Sequence, residues 1–213
     1  MIINLITVSL IVSFVLLALV FLFISLIYKK KEKKNLKITN TFIFEVMPSF
    51  KSRESVLNYV LLLSLLLVIF PFIFYGSTRF NSYIMTMVVI STLAAFCLGS
   101  LPFISLAKLK EHLYLSIGAL VSVFALLASE GYYLINLFRL YDDIFYLIGG
   151  IVAFALSLII LIMIFNPKLF ILKNDLDESG NPIRKKFIPL AFSEWMLYIF
   201  YILSLVPLLI SCL

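Results

Sequence analysis

Residues 2–28 contain no charged side chain, and six charged residues follow at once in the sequence Lys29-Lys30-Lys31-Glu32-Lys33-Lys34. An α-helix rises about 1.5 Å per residue, so this apolar stretch is long enough to cross a hydrocarbon core of about 30 Å. A dense lysine run at the end of an apolar helix marks the cytoplasmic side of a membrane. The sequence therefore predicts a membrane-spanning first helix with Lys29 in the cytoplasm and Met1 outside.

The rest of the chain has the same apolar character. Of its 213 residues, 63% are hydrophobic and 13% are charged, whereas soluble domains carry about 25% charged residues. We therefore predict an all-α integral membrane protein, a single polytopic membrane domain with six transmembrane helices. The predicted helices cover about residues 2–28, 56–75, 83–106, 113–138, 145–165 and 193–213.

The positions of the basic residues predict the orientation of these helices. Fifteen of the 17 Lys and Arg residues lie in the segments 29–55, 107–112 and 166–192, and the other two are Arg79 and Arg139. Cytoplasmic loops are rich in Lys and Arg, so these three segments are predicted to be cytoplasmic and both termini extracytoplasmic. The net charge of +6 then follows from topology, and we expect no nucleic-acid partner. The partner that we expect is the lipid bilayer, with anionic head groups attracted to the run from Lys29 to Lys37.

The loop between the fifth and sixth helices has the pattern of a small cytoplasmic β-hairpin. Residues 169–173 and 183–188 are predicted to be its strands, with a polar turn between them. Residues 175–180 copy the opening of a calcium-binding loop, but its twelfth position is Lys186 where a Glu ligand is required, so we favour a plain turn. Residues 41–47 are expected to be extended.

Small residues recur at helical spacing in the third, fourth and fifth helices. Small side chains four positions apart allow backbones to approach closely, so these helices are predicted to form the packed centre, with the first, second and sixth facing lipid over more of their circumference. A pore lining or a contact between copies is the alternative for these faces. The residues are Ser91, Ala95 and Gly99 in the third helix, Gly118, Ser122, Ala125 and Ser129 in the fourth, and Gly149, Ala153 and Ser157 in the fifth.

Glu130 is the candidate functional acid, because acids inside apolar runs of membrane proteins are costly. The alternative, which we favour at this stage, is an acid near the outer interface that Arg79 or Arg139 neutralises. Glu194 is interpreted as an acid at the start of the sixth helix, where the helix dipole favours negative charge. His112 is predicted to be a solvated loop residue at the cytoplasmic surface.

The sequence carries no motif that names a reaction, so no catalytic residue, cofactor or metal ligand is predicted. We expect a non-enzymatic subunit or interaction partner in a membrane assembly, with another membrane protein or a second copy as partner. The alternative is a small solute or ion transporter with a cavity among helices 3–6. Richness in Ile, Phe, Tyr, Lys and Asn suggests a bacterial chain, and hence the bacterial plasma membrane.

Overall fold

The structure is a computed structural model that describes residues 2–47, 55–78, 82–104, 109–169, 175–176, 182–183 and 186–213. Within these residues six helical segments are long and apolar enough to cross a membrane. The prediction of six membrane-length helices is therefore confirmed. The spans are Ile3–Glu32, Val56–Phe74, Tyr83–Phe103, Lys110–Tyr141, Ile144–Ile164 and Pro189–Ile210.

Among the described residues, eight helices make up these spans and the connection after the first of them. The helices are α1 (Ile2–Glu32), α2 (Ile43–Val46), α3 (Val56–Thr78), α4 (Ser82–Ser100), α5 (Leu109–Tyr141), α6 (Ile144–Ile164), α7 (Pro189–Leu203) and α8 (Leu205–Ile210). A 3₁₀ turn, Leu101–Phe103, extends α4. The first five spans are built on α1, α3, α4, α5 and α6, and the sixth span comprises α7 and α8.

The sixth span differs from its prediction at its start and in its continuity. Pro189 occupies the first turn of α7, where its missing N–H costs no hydrogen bond and its fixed φ suits a helix. The helix therefore begins four residues before the predicted Ser193, and Glu194 lies inside it. The helical hydrogen-bonding pattern is irregular at the single residue Ser204, between the end of α7 and the start of α8, although Ser204 keeps right-handed helical angles (φ −61°, ψ −16°). Pro207 lies just beyond, and a proline cannot donate the hydrogen bond that a continuous helix needs.

The prediction of which helices form the centre was wrong for the fifth and sixth spans, whereas the third is the second most buried span. In the most apolar window of each span, 61% of the sixth span is buried, against 28% of the fifth and 22% of the first. The central helix is thus the sixth, which we expected to face lipid. Its large side chains Trp195, Tyr198 and Tyr201 are almost fully buried, so the bundle packs around aromatic rings as well as around small residues.

The connection after α1 folds back onto the bundle. Residues 43–46 form the short helix α2, with Ile43 and Val46 buried, so the expected extended conformation of residues 41–47 was wrong. The backbone N–H of Ile188 donates to the carbonyl of Thr39 at 2.8 Å. This hydrogen bond ties the connection to the chain that enters the sixth span.

The predicted hairpin is described only in its central part. Two strands of two residues, β1 (Asp175–Leu176) and β2 (Pro182–Ile183), pair antiparallel with Asp175 opposite Ile183. Of these four residues only Ile183 belongs to a predicted strand, whereas Asp175, Leu176 and Pro182 lie in the predicted turn. The rest of that turn and most of the predicted strands lie outside the described residues. The hairpin therefore stays a prediction.

Candidate functional site

A buried His–Glu–Ser cluster joins α5 to α7. His112 Nε2 lies 2.7 Å from Glu194 Oε1, and the Ser116 hydroxyl donates to the same oxygen at 2.8 Å. All three side chains have 0% exposure. His112 Nδ1 lies 2.8 Å from the carbonyl oxygen of Ile104, to which it can only donate. Because Nδ1 carries a proton, one further proton lies between Nε2 of His112 and Oε1 of Glu194 and is shared by these two atoms.

The connection after α1 covers this cluster at one end of the bundle. The rings of Phe42 and Phe44 meet the His112 imidazole edge-on, at centroid distances of 5.6 Å and 5.1 Å. Trp195, next to Glu194, donates from its indole nitrogen to the carbonyl of Thr41 at 2.7 Å. Aromatic rings over an ionisable pair exclude water and strengthen its electrostatic interaction.

The structure corrects the predictions for His112 and Glu194. His112 is not a solvated loop residue, because α5 begins at Leu109 and places it in the first turn, facing the bundle. Glu194 does not act at a helix start, because it is the sixth residue of α7 and its carboxylate is bound by α5. The four-residue spacing of His112 and Ser116 places both on one helix face and could have indicated a buried polar site.

Two tyrosines of α7 use their hydroxyl groups to hold α4. The Tyr198 hydroxyl donates to the carbonyl of Leu98 at 2.6 Å. Pro102, four residues after Leu98, has no N–H to donate to that carbonyl. One helical turn later, the hydroxyl of Tyr201 lies 3.0 Å from the carbonyl and 2.9 Å from the hydroxyl of Ser91. The polar groups of the central span thus satisfy backbone groups of its neighbour.

Glu130 is a second buried acid, on α5 and away from the cluster. Its side chain has 0% exposure, and neither carboxylate oxygen has a hydrogen-bond partner among the described residues. The carboxylate lies beside the backbone of Leu208 in α8, at a contact that does not meet hydrogen-bond geometry. Glu130 is 11 residues before Tyr141 at the end of α5, which is about 16 Å along the helix axis.

The helix irregularity in the sixth span lies at this acid. Leu208 belongs to α8, which begins directly after Ser204. On the facing helix α6, a Cβ added to Gly149 would lie only 2.8 Å from the carbonyl oxygen of Pro207. Only a glycine allows α6 to approach the backbone of α8 so closely.

The expected neutralisation of Glu130 by Arg139 was wrong. Arg139 is exposed at the end of α5, and Glu130 makes no ion pair within the described part of the chain. Arg79, the other expected partner, lies outside the described residues. Among the residues that the structure describes, Glu130 is therefore a buried acid without an ion-pair partner.

The small-residue positions face other spans of the same chain. A Cβ on Gly99 would lie 2.8 Å from the Leu62 side chain in α3, and one on Gly118 would lie 3.0 Å from Cys97 Sγ in α4. Of the ten candidates, three are half-buried, namely Gly118, Ala125 and Ser129, and seven are buried, namely Ser91, Ala95, Gly99, Ser122, Gly149, Ala153 and Ser157.

Two cavities open on the sides of the bundle. One, of about 330 Å³, lies between α4 and α5 and is lined by Tyr83, Thr86, Ala128, Ser129 and Tyr132. The other, of about 450 Å³, lies between α1 and α3 and is almost entirely apolar; its lining includes Val8, Val12, Phe70 and Phe74. The first cavity reaches the residue next to Glu130, and the second suits a lipid chain or an apolar helix.

Comparison with known proteins found no matching family model, no similar curated protein and no similar solved structure. The functional argument therefore rests on the geometry of the chain itself.

Proposed function

We propose that this protein is a small membrane transporter that moves a proton or a monovalent cation, with Glu130 as the residue that carries it. The observation that supports this proposal is the complete burial of a carboxylate with no hydrogen-bond partner in the described structure. An ionised carboxylate in such a place is very costly, so Glu130 must be neutralised by what it binds.

The charge of the site sets the class of ion. One carboxylate neutralises one positive charge, so a proton or a monovalent cation leaves the site uncharged, whereas a divalent cation would leave a buried positive charge. Gly131, the residue after Glu130, packs against the apolar ring of Phe154, and Leu134, one helical turn after Glu130, packs against Gly149. An apolar site of this kind favours the smallest ion, the proton.

The irregular sixth span supplies the element that can move. Transporters place their ion sites at broken membrane helices, because unwound backbone there can rearrange and offer polar groups. In this chain the irregularity at Ser204 separates α7, which is bonded to α4, α5 and the cytoplasmic connection, from the six-residue helix α8. We propose that α8 shifts beside Glu130 while α7 stays fixed.

The proposal places the protein in the plasma membrane of a bacterium, with both termini extracytoplasmic and the hairpin of the 166–192 segment in the cytoplasm. The lysines after α1 support this orientation, since Lys29, Lys30 and Lys31 form the last turn of that helix and cytoplasmic ends are basic. The protein is proposed to act without catalysing a reaction.

The experiment is a flux measurement in liposomes that contain the purified protein. A pH gradient is imposed, a potassium diffusion potential balances the charge, and a trapped pH-sensitive dye reports proton entry. We expect wild-type protein to dissipate the gradient and Glu130→Gln to lower the rate at least tenfold. Glu111→Gln is the control, since Glu111 is exposed on the same helix; its rate should stay within twofold of wild type. Repeating the assay with sodium gradients tests a cation other than the proton.

Folded wild-type protein that moves neither protons nor sodium would overturn the proposal, and so would a Glu130→Gln variant with the wild-type rate. In that case the second candidate, a subunit of a membrane assembly, is favoured by the apolar groove between α1 and α3. An apolar groove of this depth in the membrane-facing surface fits a helix of a neighbouring protein.

A further inference from the structure

A polar groove lies at the cytoplasmic end of α1. Its volume is about 550 Å³, within the range of small-molecule sites. The lining residues are Tyr28, Lys33, Lys34, Asn35, Lys37, Asn40 and Thr41. The groove is therefore lined by three of the six lysines between residues 29 and 37, and Lys29, Lys30 and Lys31 are not part of its lining.

The backbone that forms the groove is held in place at both ends. After Glu32 the chain turns at Lys33, whose φ of 53° is left-handed, and leaves the axis of α1. A tight turn follows, in which the N–H groups of Asn40 and Thr41 both donate to the carbonyl of Lys37 at 3.1 Å. The turn is then fixed to the sixth span by the hydrogen bond from Trp195 to the Thr41 carbonyl, 2.7 Å long.

The chemistry of the lining suits a phosphate group. Three lysine side chains line the groove together with the Asn35 amide and the Tyr28 hydroxyl, while the Thr41 hydroxyl donates to Asn40 Oδ1. Lysine ammonium groups bind phosphate oxygens through charge-assisted hydrogen bonds. None of the residues lining the groove is acidic. Its position at the basic end of a span places it at the level of the lipid head groups.

We propose that this groove is a specific site for a phosphate-bearing anion, the head group of an anionic lipid such as a phosphatidylglycerol. The site is independent of the transport proposed for Glu130. It differs from the general attraction of a basic segment to an anionic membrane, because only lysines that line the groove contribute to it. General attraction depends on the number of charges and their distance from the surface.

The test compares two triple variants that remove the same charge. One replaces the groove lysines, as Lys33→Gln, Lys34→Gln and Lys37→Gln, and the other replaces Lys29, Lys30 and Lys31 by Gln. All six side chains are exposed, so both variants should fold, and a melting curve of each checks this. Binding is measured by titrating detergent-solubilised protein with short-chain phosphatidylglycerol and, as a control, with short-chain phosphatidylcholine.

We expect wild-type protein to bind phosphatidylglycerol at least tenfold more tightly than phosphatidylcholine. The groove variant should lose at least tenfold in phosphatidylglycerol affinity, and the Lys29–Lys31 variant less than threefold. Equal losses in the two variants would show charge attraction without a site and would overturn the proposal, as would a wild-type protein without preference for the anionic lipid.

A competition arm identifies the source of the phosphate. Glycerol 3-phosphate that displaces the lipid at equal concentration would support the phosphate site and assign it to a soluble ester. If the lipid stays bound in an excess of glycerol 3-phosphate, the result would support the site and assign it to a lipid. The acyl chains of that lipid would then contribute to binding.

Discussion

At the scale of single residues, the carbonyl oxygen of Leu98 explains why a tyrosine is buried in the central span. Four residues on, Pro102 cannot donate the helical hydrogen bond, and the hydroxyl of Tyr198 supplies a donor at 2.6 Å. An unsatisfied carbonyl inside a membrane bundle is costly. The proline and the tyrosine therefore depend on each other, although they are 96 positions apart in the sequence.

We predict that Tyr198→Phe lowers the free energy of unfolding by about 1–2 kcal/mol, because it leaves the Leu98 carbonyl without this donor. In the double variant with Pro102→Ala the loss should shrink, since the alanine N–H restores a donor four residues after Leu98. Tyr201→Phe is the matched control, because the Ser91 carbonyl keeps the helical N–H of Ala95. The free energy of unfolding is measured by SDS titration in mixed micelles for the wild type, the three single variants and the double variant. The account of this bond would be wrong if Tyr198→Phe and Tyr201→Phe lost equal free energy of unfolding. It would also be wrong if the loss in the double variant equalled the sum of the losses for Tyr198→Phe and Pro102→Ala.

The His112–Glu194 pair gives a second prediction at this scale. Glu194→Ala leaves His112 Nε2 and the Ser116 hydroxyl without their shared acceptor, which lies 2.7 Å and 2.8 Å away. Removing one partner of a buried pair costs about 3–5 kcal/mol, whereas replacing both by apolar residues is often nearly neutral. The same SDS titration should therefore show a large loss for Glu194→Ala and recovery of most of it in His112→Phe with Glu194→Met.

The exposed neighbour of His112 provides the control for that titration. Glu111→Ala should change stability by no more than about 0.5 kcal/mol, as expected for a surface position. A Glu194→Ala variant as stable as Glu111→Ala would contradict the role of the cluster.

These residue contacts were only partly predictable from the sequence. Glu130 was identified because a lone acid in an apolar run is a strong signal. The His112–Glu194 bond was missed because it joins residues 82 positions apart, and because the basic loop before His112 suggested that the helix began after it. A pairing between distant residues leaves no periodic pattern in a single sequence.

At the scale of the helices, the hydropathy of each span follows its place in the bundle. The two most hydropathic spans, the first and the fifth, are the least buried, and the least hydropathic span, the sixth, is the most buried. Lipid-facing surface must be apolar, whereas an internal helix can carry Trp, Tyr, Ser and Glu side chains that bond to its neighbours. This ranking is readable from sequence and predicts the central helix better than small residues do.

Small residues nevertheless indicate the positions at which two helices pack in close contact. Ala153 on α6 is fully buried and Ala18 on α1 is exposed. We predict that Ala153→Leu lowers the free energy of unfolding by about 1–3 kcal/mol, because it overpacks a close contact, and that Ala18→Leu is tolerated within about 0.5 kcal/mol. Melting curves in detergent compare the two. If Ala18→Leu proved the more damaging, the first span would face protein at that position.

At the scale of the whole molecule, the number and limits of the spans were predictable and the interior arrangement was not. Length and apolar composition are local properties, so all six spans could be read from the chain, with their starts shifted by up to four residues where a proline or a basic loop obscured the boundary. The burial of the sixth span and the folding of residues 37–47 over the His112–Glu194 pair depend on contacts between distant segments.

The orientation in the membrane is a prediction about the whole molecule. Lys33 and Asp142 form a matched pair, because both are exposed and both have a left-handed φ, 53° and 54°. In a background of Cys97→Ala and Cys212→Ser, a membrane-impermeant maleimide should label Asp142→Cys in intact cells and label Lys33→Cys only after permeabilisation. Labelling of Lys33→Cys from outside would reverse the topology.

The central claim is that Glu130 holds a transported ion in a buried site where no described residue hydrogen-bonds to its carboxylate. Dicyclohexylcarbodiimide is apolar and reacts with protonated carboxyl groups, so it distinguishes a neutral buried acid from an ionised one. We predict that mass spectrometry finds Glu130 modified in liposome-embedded protein, that Glu194 beside His112 is modified far less, and that proton flux falls in proportion to the modified fraction of Glu130. Glu130 left unmodified, or modified without loss of flux, would contradict the account.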